Sequence, residues 1–152
     1  MDAAIESVRI SPEGRDQLIR LKRITGLRNW NVLCRWALCV SLADSSKPSE
    51  LALSGEAAVQ MEWDTFAGQH GDVFLALLRE RCHREGLEGD GASLRRQLHL
   101  HIHRGIAHLA SDLRLKSLED LFRKLLGVRT GSGTTGNEQT NGAPSLVRIR
   151  AA

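Results

Sequence analysis

The stretch SVRISPEGRDQLIRLKRITGLRNWNVLCRWALCVSLA, from Ser7 to Ala43, carries the clearest folding signals in the chain. Apolar Val8 and Ile10 alternate with polar residues across Glu6–Ser11, which predicts a short strand with one buried face. A strand of this length is unstable alone, because its backbone N–H and C=O groups need a partner. We therefore expect a second chain to pair with it, so that the protein is an oligomer.

Two helices are predicted after this strand. Ser11 can cap the first helix, Pro12 suits its first position, and Gly26 is the type of residue past which helices commonly end. Asn29 or Asn31 can cap the second helix. Apolar residues recur at helical spacing in both, at Leu18, Leu21 and Ile24 and then at Val32, Leu33, Trp36, Ala37, Val40 and Ala43. This strand-helix-helix order is typical of ribbon-helix-helix proteins, in which two chains pair their strands.

The remainder is predicted to be mainly helical. Ser, Lys, Pro and Gly indicate a loop over Asp44–Gly55, and alternating apolar residues favour a strand or extended segment over Val59–Phe66. Three further helices are predicted, over Asp72–Glu85, Ala92–Ala110 and Ser117–Gly127. Whether Gly105 interrupts the second of these is left open by the sequence.

We expect one domain over residues 1–127 and a flexible tail over residues 128–152, because 152 residues with 41% hydrophobic content suit a single core. Residues 129–144 are mainly Gly, Thr, Ser and Asn with almost nothing to bury, which predicts disorder. The final SLVRIRAA could pair as a strand or remain a loose tail. The predicted fold class is mainly α: a short N-terminal strand, a ribbon-helix-helix-like portion and additional helices, in a compact oligomer.

Basic residues are concentrated near the N-terminus. The chain has 21 Lys and Arg against 18 Asp and Glu, a net charge of +3. Residues 9–35 hold seven basic and two acidic residues, a local charge of +5, whereas residues 44–91 hold four basic and ten acidic residues, a local charge of −6. A polyanion would be attracted to the first segment and repelled by the second, which indicates a nucleic-acid surface. A solvated helix face is the alternative interpretation.

Several functional classes find no support. Three cysteines without a C-x-x-C pair argue against a disulfide framework and a zinc ribbon. The N-terminal MDAAIESVRIS lacks the features of a signal peptide, and no stretch approaches the roughly 18 apolar residues of a membrane span. We therefore expect a cytoplasmic protein that does not contact membranes.

The sequence contains no recognisable catalytic or cofactor motif. Phosphate-binding glycine loops and nucleophile elbows are absent from it. His99 and His103 share a helix face, but no glutamate follows His99 as it would in H-E-x-x-H metal sites, and His101 points elsewhere. We expect these histidines to be structural, and we expect no catalytic residues, no bound metal and no cofactor.

The opening stretch resembles the start of the DndE family, which belongs to the gene cluster that replaces a non-bridging phosphate oxygen of DNA by sulfur. Four further segments are similar to the family in the same order: WDTFAG, FLALLRERC, LHLHIHRGIAHLAS and SLEDLFRKLL. The resemblance runs from Ser7 to about Leu126. The Gly/Thr/Asn-rich tail lies outside it.

This resemblance implies a largely helical protein that assembles as a homotetramer and binds double-stranded DNA, with a preference for nicked duplex. It also implies association with other phosphorothioation proteins, DndC and DndD. Basic residues provide the DNA surface in the family. By charge and location, the positions that suit this role are Arg15, Arg20, Lys22, Arg23, Arg28 and Arg35.

Three other functions compete with this interpretation. One is a structural adaptor that never contacts DNA, because a basic face can also bind an acidic protein. A ribbon-helix-helix repressor or antitoxin would read operator bases through the strand, although the helices after Asp72 exceed what so small a module needs. A DNA nickase, or a hydrolase with a histidine-bound metal, is the third alternative. Cleavage of supercoiled plasmid and the metal content of the purified protein discriminate these enzymes from a DNA-binding subunit.

Overall fold

The structure, a computed structural model, describes residues 4–50 and 55–127. Two short strands and six α-helices occur in these residues, so the mainly α fold class is confirmed. A 3-10 turn at Gly68–His70 joins the third helix to the fourth. The elements are β1 (Ser7–Ile10), α1 (Pro12–Thr25), α2 (Trp30–Ala43), β2 (Val59–Glu62), α3 (Trp63–Ala67), α4 (Gly71–Arg84), α5 (Gly91–Ser111) and α6 (Leu118–Leu125).

The capping signals define α1 as predicted. The Ser11 hydroxyl accepts a hydrogen bond from the Gly14 N–H at 3.1 Å, and Pro12 occupies the first turn. Gly26 adopts a left-handed conformation with φ of 72°, and its N–H donates to the Lys22 carbonyl. Asn29 occupies the cap position of α2 without a side-chain cap bond. The Nδ2 of Asn31 donates to the Thr65 carbonyl at 3.0 Å and so ties α2 to α3.

The predicted extended segment Val59–Phe66 is only half extended. Its first four residues form β2, and from Trp63 onward the chain is the helix α3. Phe66 and Ala67 are both buried, at 0% and 1% exposure, which an alternating strand on one sheet face cannot achieve for consecutive residues. Turning into a helix places both side chains in the core.

Strand β1 pairs with β2 of the same chain, in antiparallel register with Val8 opposite Met61 and Ile10 opposite Val59. We expected a second chain because β1 was thought to have no partner strand of its own. That premise was wrong, because β2 lies about 50 residues further along the same chain and pairs with β1. Val8 and Ile10 are buried at 3% and 0% exposure in this chain's own core. They do not seal a two-chain ribbon here.

Helix α5 runs unbroken through Gly105 and crosses α2 at that residue. A Cβ placed on Gly105 would lie 1.8 Å from the Ala37 carbonyl oxygen and 2.8 Å from the Ala37 Cα. The two helix backbones are therefore in direct contact, which a glycine allows and any side chain prevents. Around the crossing, Leu33, Ile102 and Ile106 are fully buried.

Helix α6 packs on α1, and its residue Leu121 is fully buried. Ser117 caps it by accepting the Asp120 N–H at 3.2 Å. The Phe122 ring meets Trp36 of α2 edge-on, with centroids 4.9 Å apart. In the part of the chain that the structure describes, no helix is long and apolar enough to span a bilayer. The predicted disordered segment, SLVRIRAA and the tail from residue 128 lie outside the described residues.

We predict that Gly105→Ala destabilises the protein by about 3 kcal/mol or more, because one added methyl group forces two helix backbones apart and overpacking of this kind is costly. Gly71→Ala is the matched control, since a Cβ there would lie 3.4 Å from Trp63 Nε1 in ordinary contact. The control should remain within about 1 kcal/mol of wild type. Urea unfolding followed by circular dichroism measures both. Equal midpoints for the two variants would contradict the crossing described above.

Candidate nucleic-acid interface

Three of the predicted DNA-contacting residues are free on the surface. Arg20 and Arg23 lie one turn apart on the exposed side of α1, and Arg28 is exposed in the connection between α1 and α2. Leu18 and Leu21 bury the opposite side of the helix in the core. Within the described residues, none of the three guanidinium groups has a hydrogen bond or an ion pair. Each is therefore available to a phosphate.

Two further residues of the predicted set have modest contacts of their own. Arg15 pairs with Asp16 at 3.1 Å, and both side chains are largely exposed. An exposed pair of this kind contributes little stability and can be exchanged for another anion. The Lys22 ammonium lies 5.4 Å from the centre of the Trp30 ring, so part of this side chain packs between α1 and α2.

Arg35 differs from the other predicted residues because its guanidinium is bound within the chain. Its Nε donates to the Phe66 carbonyl and its Nη2 donates to the Thr65 carbonyl at 3.3 Å. The guanidinium thereby satisfies carbonyl groups near the end of the short helix α3 and fastens it to α2. The sequence shows the charge of Arg35 but not the carbonyls 30 residues away that use it.

The sequence interpretation did not identify two further arginines, which are enclosed in the fold. Arg81 is 5% exposed and donates to the carbonyls of Leu42, Asp44 and Ser46 at 3.3, 2.8 and 2.7 Å. Its Nε forms an ion pair with Glu85 at 2.7 Å. Carbonyls at a helix C-terminus carry partial negative charge, so a buried guanidinium here completes the end of α2.

Arg104 binds the same region from α5. Its Nη2 donates to the Ser41 carbonyl at 2.7 Å, and its Nε donates to the Ser41 hydroxyl at 2.7 Å. A further bond from Nη1 reaches the Ser46 carbonyl at 2.9 Å. Together, Arg81 and Arg104 hold the end of α2 and the residues after it between α4 and α5. Both arginines therefore act in folding and are not part of the exposed basic surface.

His101 lies in this enclosed polar cluster and is fully buried. Its Nδ1 is hydrogen-bonded to the Ser41 hydroxyl at 2.8 Å. The Ser41 hydroxyl thus links the His101 ring to the Arg104 guanidinium, which donates to the same hydroxyl. Burial, with the nearby charges of Arg81 and Arg104, lowers the pKa of His101 to about 4. The ring is therefore neutral at physiological pH.

His99 and His103 face the opposite direction and cover the edge of β1 that β2 leaves open. The Ser11 N–H donates to His103 Nε2 at 3.1 Å, and His103 Nδ1 donates to the His99 carbonyl at 2.8 Å. The His99 ring interacts with the backbone of Arg9, which opposes part of the lowering of the His99 pKa by burial. The backbone groups of Glu6 and Ile10 point the other way and accept N–H groups from Trp63 and Ala58, at 2.9 and 2.8 Å.

Burial favours the neutral form of both rings. Burial, and secondarily the other histidine, lowers the pKa of His99 to about 4, and burial lowers the pKa of His103. If His103 Nε2 were protonated, its N–H would point at the Ser11 N–H, from which this nitrogen now accepts a hydrogen bond. Residues 4–50 and 55–127 hold no group of three or more His, Cys, Asp or Glu side chains arranged for a metal ion.

The cysteines are not suited to nucleophilic chemistry. Burial raises the pKa of Cys34 to about 12 and also raises the pKa values of Cys39 and Cys82. A thiolate is the reactive form of cysteine, so burial disfavours the reactive form of all three thiols.

We predict that acid destabilises the protein through the three histidines. Their pKa values are near 6.5 in the unfolded chain and lower in the folded one, so the unfolded chain takes up more protons as pH falls below 6.5. Stability should be complete above pH 7 and fall toward pH 4, with a slope of up to about 1.4 kcal/mol per pH unit for each histidine. Urea unfolding at pH 7.5 and 5.5 measures this loss.

His101→Gln removes one of these groups and should flatten the pH dependence. Gln97→Met alters the neighbouring position, which does not titrate, and should leave the pH dependence unchanged. A wild-type midpoint that is equal at the two pH values would contradict the prediction.

Two comparisons with known proteins gave matches that cover most of the strands and helices described above. The sequence model of the DndE family, described as DNA sulphur modification protein DndE, matches residues 7–117. A crystal structure of DndE from Escherichia coli B7A, described as involved in DNA phosphorothioation modification, is similar with a TM-score of 0.54. That match has 23% sequence identity and covers 68% of this chain and 95% of the other. No curated protein matches the chain significantly.

The match to the family ends at residue 117, so α6 lies beyond it. The segment SLEDLFRKLL begins at Ser117, which is the last matched residue. Its expected similarity to the family is therefore supported only at that one position. Strands β1 and β2 and helices α1 to α5 all fall within the matched residues. Because this match spans most of the chain and the solved DndE shares its fold, the chain belongs to the DndE family of DNA sulphur modification proteins.

Proposed function

We propose that this chain is a DNA-binding subunit of a DNA phosphorothioation system and that it binds double-stranded DNA through α1 and the connection to α2. Membership of the DndE family supports the link to DNA sulphur modification. The observation that supports a DNA contact is that the guanidinium groups of Arg20, Arg23 and Arg28 form no hydrogen bond or ion pair within the described residues. Guanidinium groups without internal partners can pair with phosphates and release condensed counterions.

The proposed surface is narrower than the one predicted from charge. Arg20, Arg23 and Arg28 form its centre, and Arg15 can join after exchanging Asp16 for a phosphate. Lys22 contributes charge from its position beside Trp30. Arg35 is left out, because its guanidinium already binds the carbonyls of α3.

A preference for nicked duplex follows from a surface of fixed shape. Helix α1 is held on the core by Leu18 and Leu21, both at most 1% exposed, so its arginines cannot follow the phosphates of a straight duplex over a long distance. A nick lowers the cost of bending DNA toward such a surface. The preference should then be independent of the sequence around the nick.

We propose no catalytic role for this chain itself. The cysteine pKa values are raised, and the three histidines of α5 are used to hold β1 and α2. The modification chemistry would then belong to partner proteins of the system, of which DndC and DndD are our candidates. Three free cysteines among the described residues suit the reducing cytoplasm, which is the location that we propose.

The ribbon-helix-helix alternative gains no support from the arrangement of β1. In that class, strands from two chains pair before they enter the DNA groove. Here one edge of β1 is paired with β2 and the groups on the other edge bind His99 and His103. A repressor of this class would first have to release these contacts.

Exposed apolar residues support assembly as a homotetramer. Val73 and Leu77 lie one turn apart on α4 and are 56% and 42% exposed. On α2 and α6, Cys39 and Phe122 are also exposed, although α2 is apolar around most of its circumference. A helix that is apolar on nearly all sides is normally buried. Two separate patches suit the two interfaces of a tetramer with dihedral symmetry.

We predict that the variant Arg20→Gln, Arg23→Gln, Arg28→Gln weakens binding to all duplexes alike. Each lost phosphate contact should reduce the magnitude of the slope of log K against log salt by about 0.9. The control variant Arg79→Gln, Arg84→Gln, Arg114→Gln removes the same charge from exposed positions elsewhere. It should change the slope much less. Fluorescence anisotropy on intact and nicked duplexes at several salt concentrations measures both.

Equal losses in the two triple variants would show that only net charge matters and that α1 has been misassigned. Equal affinity of the wild type for intact and nicked duplex would remove the nick preference from the proposal.

We predict that Val73→Glu with Leu77→Glu dissociates the tetramer into smaller species, because it places charges in an apolar interface. Leu113→Glu is the control, since Leu113 is 80% exposed and isolated between α5 and α6. Sedimentation velocity at micromolar concentration distinguishes these states. A wild type that sediments as a monomer would overturn the proposed assembly.

A further inference from the structure

A second basic site lies in a cleft of about 410 Å³ between β1 and the first half of α5. The buried residues Val8 and Leu98 contribute to its lining, together with three arginines: Arg9, Arg95 and Arg96. None of these arginines is in the set predicted from the sequence. Glu6 is the one acidic residue among those that line the cleft. Three cationic groups therefore face one concave space.

The fold brings these arginines together from distant parts of the sequence. Arg9 points outward from β1 because its neighbours Val8 and Ile10 point into the core. Arg95 and Arg96 lie near the start of α5, which is held beside β1 by His99 and His103. The same contacts that cover the edge of β1 thus create the cleft.

The three guanidinium groups differ in how freely they can bind a ligand. The Nη1 of Arg95 donates to the Ala4 carbonyl at 3.1 Å, which fixes the side chain. Arg96 pairs with Glu50 at 2.8 Å, but the two side chains are 59% and 74% exposed. Such a pair is readily exchanged for a stronger anion. Arg9 has no hydrogen bond or ion pair through its side chain in the described part of the chain.

We propose that this cleft binds a phosphate monoester dianion, and that DNA supplies it as the 5′-phosphate at a nick. A monoester carries a charge between −1.5 and −2 near neutral pH, and planar guanidinium groups bind phosphate oxygens through paired hydrogen bonds. An internal phosphodiester carries one charge and continues on both sides, whereas a chain end presents a second charge and can place its terminal phosphate within the cleft. This inference rests on the proposed DNA binding and gives the nick preference a chemical cause in addition to flexibility.

The test compares two nicked duplexes of identical sequence that carry either a 5′-phosphate or a 5′-hydroxyl at the nick, in phosphate-free buffer. The wild type should bind the 5′-phosphate form about tenfold more tightly, which is the effect of one added charge-assisted hydrogen bond. The variant Arg9→Gln, Arg96→Gln should bind both forms with equal affinity. Arg95 is left in place because it also holds Ala4.

The α1 variant Arg20→Gln, Arg23→Gln, Arg28→Gln serves as the matched control. It should weaken binding to both duplexes and retain the ratio between them. Excess deoxynucleoside monophosphate should abolish the ratio in the wild type, which also shows whether a free monoester occupies the cleft. Thermal unfolding confirms that each variant is folded.

Equal wild-type affinity for the two nicked duplexes would overturn the 5′-phosphate assignment and leave the proposed DNA binding intact. Failure to bind any duplex would overturn the proposed function instead. In that case the cleft is tested by titrating the full chain with a deoxynucleoside monophosphate and following the arginine Nε–H signals by NMR. Shifts at Arg9 and Arg96 that the unphosphorylated nucleoside does not produce would support a free monoester as ligand, and their absence would refute the site.

Discussion

The contact of Gly105 with the backbone of Ala37 is the constraint on which the rest of the molecule depends. It sets the distance between α2 and α5 at backbone contact, and the remaining faces of α5 pack against α1, α4 and β1. His99 and His103 meet β1, Arg104 meets the end of α2, and the first turns support the arginine cleft. A wider crossing would move all of these groups together, because one rigid helix carries them.

Most helices could be predicted from the sequence because their signals are local. Ser11, Pro12 and Gly26 bound α1 through interactions within one or two turns, and the periodic leucines and isoleucines of α5 extend across Gly105 without a break. The pairing of β1 with β2 joins residues about 50 positions apart, and no turn between them specifies it. The start of α3 was predicted to be extended because apolar and polar residues alternate through β2 and up to Trp63. The chain instead forms a helix there, which buries Phe66 and Ala67 in the core.

The candidate surface was predictable as a region of charge but not as a set of available groups. Charge counting cannot separate Arg23, which faces solvent, from Arg35, which is bound to carbonyls 30 residues away. For the same reason it could not find the cleft, since Arg9 and Arg96 are brought together only by the docking of α5 on β1. Hydrogen-bond partners decide which cations remain free, and these partners are a property of the fold.

The cover that His99 and His103 place on β1 also bears on aggregation. An open strand edge is a template for pairing with strands of other molecules, and cells contain many such strands. The His103 ring accepts a hydrogen bond from the Ser11 N–H and the His99 ring lies against the backbone of Arg9, so two neutral imidazoles cover this edge without adding charge. The strand can therefore remain short and apolar on its inner face without pairing with strands of other molecules, for as long as the two rings stay neutral.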